Sequence, residues 1–534
     1  MEADILVIGG GVAGLTVAWK ARGRVIVATK AKLGESNTKY AQGGIAAALG
    51  TDDSSPLHVQ DTLRAGDGLV NEQSARTLAE NIPKLIQELD NLGVPFDKEN
   101  SAFALSREAV HCRARIVHVS DATGKAVSEG LIAAVKKKAR ILDECMAVRL
   151  LVSKGRCLGC LFLDVKKGTL FPIFAKAVIL ATGGAGQLYE HTTNPEIATG
   201  DGIALAYEAG AAAEDLEFVQ FHPTCLAGTS FLISETLRGE GGILKNKEGE
   251  AFMRKYHRDG ELAPRDVVAK FSLIEMRRTK ANHVWLDVRH LGKEYLKKRF
   301  PMIYKTCLQR GIDLTEEMIP VSPAAHYMCG GIKVDGRGRT SVPGLSAVGE
   351  CACTGLHGAD RLASNSLAEG LVFGSIVAKE VETKKGTALS NTEQMTALQE
   401  AMHEAVPKGK RPSEFSSSDL AKVRSLRTEL QKEMWKDAGI LRTISGLERA
   451  KDEFAHIRKQ AGALLSKGIG KEALELRNLS VVGLLIVESA LRRKESRGTH
   501  ALEEFPERDD ARWKKHLILK KTEDRSIAYT QEQK

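Results

Sequence analysis

"DILVIGGGVAGLTVAWKA", residues 4–21, reads as a short buried strand, a glycine turn and a helix. Gly9, Gly11 and Gly14 give the spacing G-x-G-x-x-G between the two elements. The first glycine permits the tight turn, the second lets the backbone approach a pyrophosphate, and the third lets helix and strand pack closely. Gly10, Val12 and Ala13 complete the turn, where the helix N-terminus offers free N–H groups and its positive dipole end to phosphate. "RVIVATK", residues 24–30, is a second apolar strand. Together these segments open a dinucleotide-binding βαβ unit.

The acid that closes the second strand of an ordinary NAD site is missing, and Thr29-Lys30 stands there instead. Lys30 could serve a phosphate or a ribose. Two later apolar strands also run into small residues, "KAVILATGGAG" at 176–186 and "GLSAVGECACTG" at 344–355. A long cofactor lined by several strand ends is FAD rather than NAD. Glu350 is placed to accept hydrogen bonds from sugar-alcohol hydroxyls. "GESNTKYAQGGIAA", residues 34–47, offers small hydrogen-bonding side chains and two adjacent glycines. Asn37, Thr38, Gln42, Gly43 and Gly44 are expected along the isoalloxazine ring, with Lys39, Tyr40 and Ala41 between them.

The chain has 534 residues, room for two to four domains, and 43% hydrophobic content suits a globular protein. A net charge of +9 over this length is mild. It suits an anionic small substrate and gives no ground for nucleic-acid binding. The first strand begins at residue 4, which leaves no room for a signal peptide, and no apolar run is long enough to span a membrane. The nine cysteines are an odd number, read as free thiols in a reducing cytoplasm; Cys157 and Cys160 form a CxxC with no second pair, so no metal site is expected. The expected fold class is α/β: a Rossmann-like FAD-binding domain with an inserted α+β capping domain and a C-terminal helical bundle. The expected boundaries are 1–215 and 328–395 for the two parts of the FAD-binding domain, 216–327 for the cap and 396–534 for the helical domain. Polar stretches at 384–394 and 406–422 read as loops, and "ELRNLSVVGLLIVESALRRKESRG", residues 475–498, as one long helix.

Seven strings in order, "GGGVAG", "SNTKYAQGGIA", "ATGDG", "QFHPT", "LAPRD", "PAAHYMCGGI" and "LHGADRLASNSL", resemble the flavoprotein family of succinate dehydrogenase, fumarate reductase and L-aspartate oxidase. The resemblance spans nearly the whole chain. It adds Asp201, Ser366 and Leu367 to the expected cofactor site. In the respiratory members, "HT-x-x-AQGG" carries a histidine bonded covalently to the flavin. Asn37 occupies that position here, and asparagine cannot form the bond, so the resemblance implies non-covalent FAD.

His222, Arg265, His326 and Arg361 each lie beside a glycine- or proline-bearing turn. Such cations and donors suit a dianionic substrate, because arginine binds a carboxylate through two parallel hydrogen bonds. The resemblance assigns His222, His326 and Arg361 to the substrate carboxylates and Arg265 to proton transfer. Arginine rarely releases its proton, so Asp266 or Glu235 would have to assist. Ser234-Glu235 matches a threonine-glutamate pair of the family, and Ser364 falls in the same substrate-binding set. Glu108 matches a glutamate that L-aspartate oxidases carry in an "REGGH" context; here the two glycines are Ala109 and Val110. A carboxylate there is what the amino group of aspartate needs.

The resemblance thus implies oxidation of L-aspartate to iminoaspartate by hydride transfer from Cα to flavin N5. Oxygen or fumarate would be the acceptor, and the reaction would open NAD biosynthesis, with quinolinate synthase consuming the imine. Two alternatives stand beside it: a soluble fumarate reductase or succinate dehydrogenase flavoprotein, and a flavin-binding subunit without turnover.

Overall fold

The structure is a computed structural model that describes residues 1–383, 390–405, 415–524 and 526–533. β1 (Glu2–Ile8), α1 (Val12–Lys20) and β2 (Val25–Ala28) form the βαβ opening. β1 runs parallel to β2 on one side. Next come three long strands, β3 (Cys145–Ser153), β4 (Arg156–Asp164) and β5 (Thr169–Leu180), paired as an antiparallel meander. The end of β5 turns back into the parallel sheet, between β1 and the short strand Leu345–Ala347. Three strand ends distant in sequence therefore share one carboxyl edge. Their near-continuous apolar runs follow from burial on both faces of a parallel sheet. Close approach at this edge requires glycine. Gly9 has φ +118°, and a Cβ on it would lie 2.1 Å from the Ala181 carbonyl oxygen; one on Gly14 would lie 2.2 Å from the Gly9 carbonyl oxygen.

α2 (Asp201–Glu208) follows β5, and the chain then enters an antiparallel sheet. Its strands are β6 (Val219–Leu226), β7 (Ile319–Met328), then Val284–Asp287 and Ile243–Lys245, in that spatial order. α3 (Arg265–Arg278) packs on β6. This unit has its own apolar core, including Leu237, Leu286, Phe300 and Ile319. It touches the nucleotide-binding part through Asp121, whose Oδ2 accepts the Met302 and Ile303 N–H groups at 2.8 and 3.0 Å.

α4 (Asn365–Thr383) lies against α1. The segments 384–389 and 406–414, within the polar stretches read as loops, lie outside the described residues. A helix, Asn391–Ala405, begins inside the first of those stretches, and α5 (Ser417–Asp437) inside the second. α5 packs with α6 (Ile444–Leu465) and α7 (Lys471–Arg492). α7 stops at Arg492 rather than continuing to 498. Arg493, Glu495 and Arg497 leave the helix to build a fully buried ion network, in which Arg493 donates to Glu217 at 2.6 Å and to Glu495 at 3.1 Å. The last segment is not helical. β8 (His516–Lys521) and β9 (Ile527–Glu532) form a hairpin that pairs with Ala213–Glu214, so the C-terminal segment adds strands to a sheet begun ahead of the antiparallel unit. Among the described residues, no helix is long and apolar enough to cross a membrane.

The Arg493 guanidinium also donates to the backbone carbonyls of Trp513 and Lys515. Removing it strands the buried Glu217 carboxylate. Arg493→Met should therefore cost about 3–5 kcal/mol of stability, as for one partner of a buried pair. A lowered urea midpoint would show this, and an unchanged midpoint would exclude it.

Candidate active site

One cavity runs from the glycine turn at Gly9–Ala13, along Asn37, Thr38 and Tyr40–Gly44, to Arg361. It lies between the shared strand edge and the antiparallel sheet. Glu108, Ser234, Ser364, Ser366, Leu367 and Glu350 line it with His222, Glu235, Arg265 and His326. Two expected cofactor residues do not. Gly14 packs beneath the turn, and Lys39 points to solvent, bonded to Glu35 at 2.9 Å. Ser36, Thr182, Asn194 and Tyr327 also line the cavity, although the sequence reading did not single them out. Ser36 sits inside the quoted loop; Asn194 is in a stretch with no motif.

The fit to a flavin dinucleotide rests on donors and acceptors without protein partners. Buried polar atoms are nearly always hydrogen-bonded. Yet Ser36 Oγ, Asn37 Oδ1, Gln42 Oε1 and Asn194 Oδ1 are buried along this cavity with none. They suit a ligand rich in N–H and hydroxyl groups. Thr38 Oγ1 is used to accept the Val12 N–H at 3.0 Å, which ties the loop to the first turn of α1. Glu350 accepts the Met328 N–H and the Asn37 side-chain amide, both at 3.2 Å.

Lys30 and Asp201 border the cavity, but their charged ends are already engaged. The Lys30 ammonium donates to Thr199 at 2.5 Å, Asp201 at 2.7 Å and Glu475 at 2.9 Å. That uses all three of its protons. Asp201 also accepts from Asn478 on α7 at 2.8 Å. Lys30 therefore has no free donor for a phosphate, and it serves the site by holding α7 against the cavity wall.

At the far end the walls are cationic. Arg265 is bonded to Glu235, which draws the Glu235 carboxyl below its ordinary range although burial alone would raise it. Arg361 is buried and, among the described residues, has no carboxylate partner. Its guanidinium stacks 4.4 Å from the Tyr327 ring centre, and its Nε is buried without a partner. Burial and then Arg265 weaken its hold on its proton. The His222 Nδ1 lies 3.2 Å from both the amide nitrogen and the carbonyl oxygen of Thr224, and its Nε2 is buried, unpartnered and borders the cavity. Burial, then the nearby arginine Arg265, holds His222 neutral, well below 6.5. His326 stands beside it, with ring centres 5.1 Å apart, and burial keeps it neutral too. Of the two carboxylates expected to assist Arg265, Glu235 is the partner, while Asp266 turns toward Asp360.

One wall is acidic. Glu108 is 3% exposed; its Oε2 accepts from Ser364 at 2.6 Å, and a Cβ on Gly43 would lie 3.2 Å from its Oε1. Burial and then Glu235 push its carboxyl above the ordinary range. The loop is pinned from outside: the Ala109 N–H donates to Glu235 at 3.1 Å, and Arg64 reaches the Val110 carbonyl. Val110 itself has φ +69°, in the left-handed region that a β-branched residue rarely enters.

Two outcomes follow. Left-handed backbone costs a side-chain-bearing residue about 1–2 kcal/mol, partly offset by the extra freedom of glycine in the unfolded chain. Val110→Gly should therefore gain roughly 0.5–1 kcal/mol in denaturant unfolding, and a loss would exclude strain at this position. Burial pushes the Glu350 carboxyl from 4.5 up to about 7. An acid with a raised folded value keeps its proton in the native state after the unfolded chain has released it. Stability of the apoprotein should therefore fall as pH rises from 4.5 to about 7. Glu350→Gln should flatten that part of the stability–pH curve.

Comparison with known proteins agrees with this geometry. Residues 4–367 match the model of the FAD binding domain, and residues 427–533 match the fumarate reductase flavoprotein C-terminal model. The chain is 40% identical to an L-aspartate oxidase of Streptomyces coelicolor, over 99% of this chain and 93% of that protein. It is 42% identical to L-aspartate oxidase 1 of Ralstonia nicotianae, over 95% and 96%. A quinol fumarate reductase structure from E. coli superposes with a TM-score of 0.91 at 30% identity, covering 100% of this chain and 97% of that one. FAD is the cofactor of this chain. A flavin-sized cavity, a cationic end and full-length similarity lead to one assignment: the chain belongs to the L-aspartate oxidase family, within the flavoproteins that include succinate dehydrogenase and fumarate reductase.

Proposed function

We propose that the chain oxidises L-aspartate to iminoaspartate with FAD held non-covalently. The observation that carries this is the asymmetry of the chamber. Arg265, Arg361, His222 and His326 offer donors for two carboxylates, and Glu108, on the acidic wall, offers a carboxyl acceptor to a substrate ammonium or amine group. A substrate with two carboxylates and one amine matches both. Arg361, with no acid of its own, clamps one carboxylate through its free N–H groups. The neutral His222 donates from Nε2 to the other. The amine nitrogen loses a proton and Cα loses a hydride; bound FAD supplies the hydride acceptor. Glu235, bonded to Arg265, is the group beside the chamber that can change charge as a proton leaves. Fixing the substrate against preorganised donors supplies much of the rate gain in such a site.

Asn37 supports the non-covalent cofactor: its side-chain amide donates to Glu350 and has no nucleophilic nitrogen for a flavin bond. In the same reading, residues 216–327 form the cap over the chamber and 396–534 the helical domain. Reoxidation by oxygen or fumarate, a place at the start of NAD biosynthesis, use of the imine by quinolinate synthase and a cytoplasmic location belong to it as well.

Anaerobic mixing of FAD-loaded protein with L-aspartate tests the proposal. Bleaching of the flavin by L-aspartate, and not by D-aspartate or succinate, is expected. Bleaching by succinate alone would move the chain to dicarboxylate dehydrogenation. Glu108→Gln should lower kcat/KM for L-aspartate by roughly 10–150-fold, the worth of a hydrogen bond to a charged group, while fumarate binding persists. Acid precipitation should leave a colourless pellet; a yellow one would mean a covalent flavin.

A further inference from the structure

Gln220 lies on β6, two residues before His222, and is fully buried. Its Oε1 accepts from Arg265 Nη1 and from Arg361 Nη2, each at 3.0 Å. Its Nε2 donates to Asp360 Oδ1 at 2.6 Å and to the Arg361 carbonyl at 2.9 Å. An amide has two acceptor sites and two donor protons, and all four are used. The orientation is forced by chemistry. Both arginines only donate and the Arg361 carbonyl only accepts, so the reversed amide would put like against like on both sides.

The two guanidinium groups repel each other, and burial magnifies the repulsion. Arg265 has Glu235 to offset its charge. Among the described residues Arg361 has no carboxylate, and its guanidinium holds Gln220 and the Tyr327 ring. A carboxylate at position 220 would hold both arginines more tightly, but it would also consume the positive charge that the substrate needs. It would then face the Asp360 carboxyl, which burial and then Asp266 already push well above its ordinary range. An apolar residue would take a hydrogen bond from four buried polar groups at once.

We propose that Gln220 is a positioning residue for the reaction, a neutral acceptor that sets the spacing and direction of Arg265 and Arg361 and leaves their charge for the two substrate carboxylates. It is anchored from behind by Asp360, whose other oxygen lies 3.4 Å from the Asp266 N–H. Gln220 does not itself line the chamber, so it acts through the arginines and not on the substrate.

This inference rests on the L-aspartate reading, and the test separates the two. Gln220→Glu keeps the shape and changes the charge, and Gln220→Met removes the bonds. For each, FAD content, melting temperature, succinate binding read from the flavin spectrum, and kcat and KM for L-aspartate are measured. In Gln220→Glu, normal FAD content and melting temperature are expected with a tenfold or greater rise in both the KM for L-aspartate and the Kd for succinate, and with kcat within about threefold. In Gln220→Met, kcat is expected to fall as well, because the arginines lose their direction. If kcat/KM and succinate binding in Gln220→Glu stay within threefold of the native protein, the inference is overturned. It is equally overturned if the losses track loss of FAD or of melting temperature, since that is a merely structural role. If the native protein shows no bleaching with L-aspartate, the functional reading fails instead, and the succinate arm still reports on Gln220.

Discussion

Two guanidinium groups held in one buried chamber are the constraint around which this molecule is arranged. Placing a cation out of water costs several kcal/mol even after relaxation, and a second one nearby costs more. The structure answers each differently. Arg265 is balanced by Glu235, while Arg361 is stacked on Tyr327 and left without an acid. The remaining positive charge is the binding energy of the site. It is preorganised, so no reorganisation is needed when a dianion arrives. The neutral histidines beside it add directed donors without adding further charge.

The parts of this arrangement that were legible in the sequence are those with local signatures. The turn at Gly9–Gly14 announces its geometry because only glycine fits there. Asn37 speaks through chemistry alone, since an amide cannot replace an imidazole in a covalent bond. Arg265, Arg361 and the two histidines stood out beside their turns, and the family resemblance gave them roles. What stayed hidden depends on contacts distant in sequence. Lys30 read as a group free for a phosphate or a ribose because Glu475, 445 residues away, was not visible as its partner. The α7 pattern ran on to residue 498 on paper because Arg493 and Arg497 look like helix surface until Glu217 and Asp510 are placed beside them. The final strands were missed for a similar reason: β8 finds its partner far back along the chain, at Ala213–Glu214.

The Glu108 loop shows how precision and strain coexist. Its two outer tethers, Arg64 and Glu235, come from different parts of the chain and fix the backbone on both sides of Ala109. A backbone so held can carry Val110 at φ +69°, which a free loop would abandon. The same Glu235 balances Arg265, so the acid wall and the cationic wall of the chamber share one carboxylate. A shift of either wall is felt by the other.

The bond from Lys30 to Glu475 has a consequence beyond geometry. It makes the far helices and the cofactor cavity two ends of one equilibrium. A ligand that favours the arrangement around Lys30 and Asp201 also favours α7 in place, and by linkage a well-docked α7 tightens the hold on that ligand by the same factor. The packing of α7 and the shape of the cavity wall at Lys30 and Asp201 are therefore coupled. A substitution deep among α5, α6 and α7 can surface in the cell as a pale, protease-sensitive protein whose active-site residues are all intact.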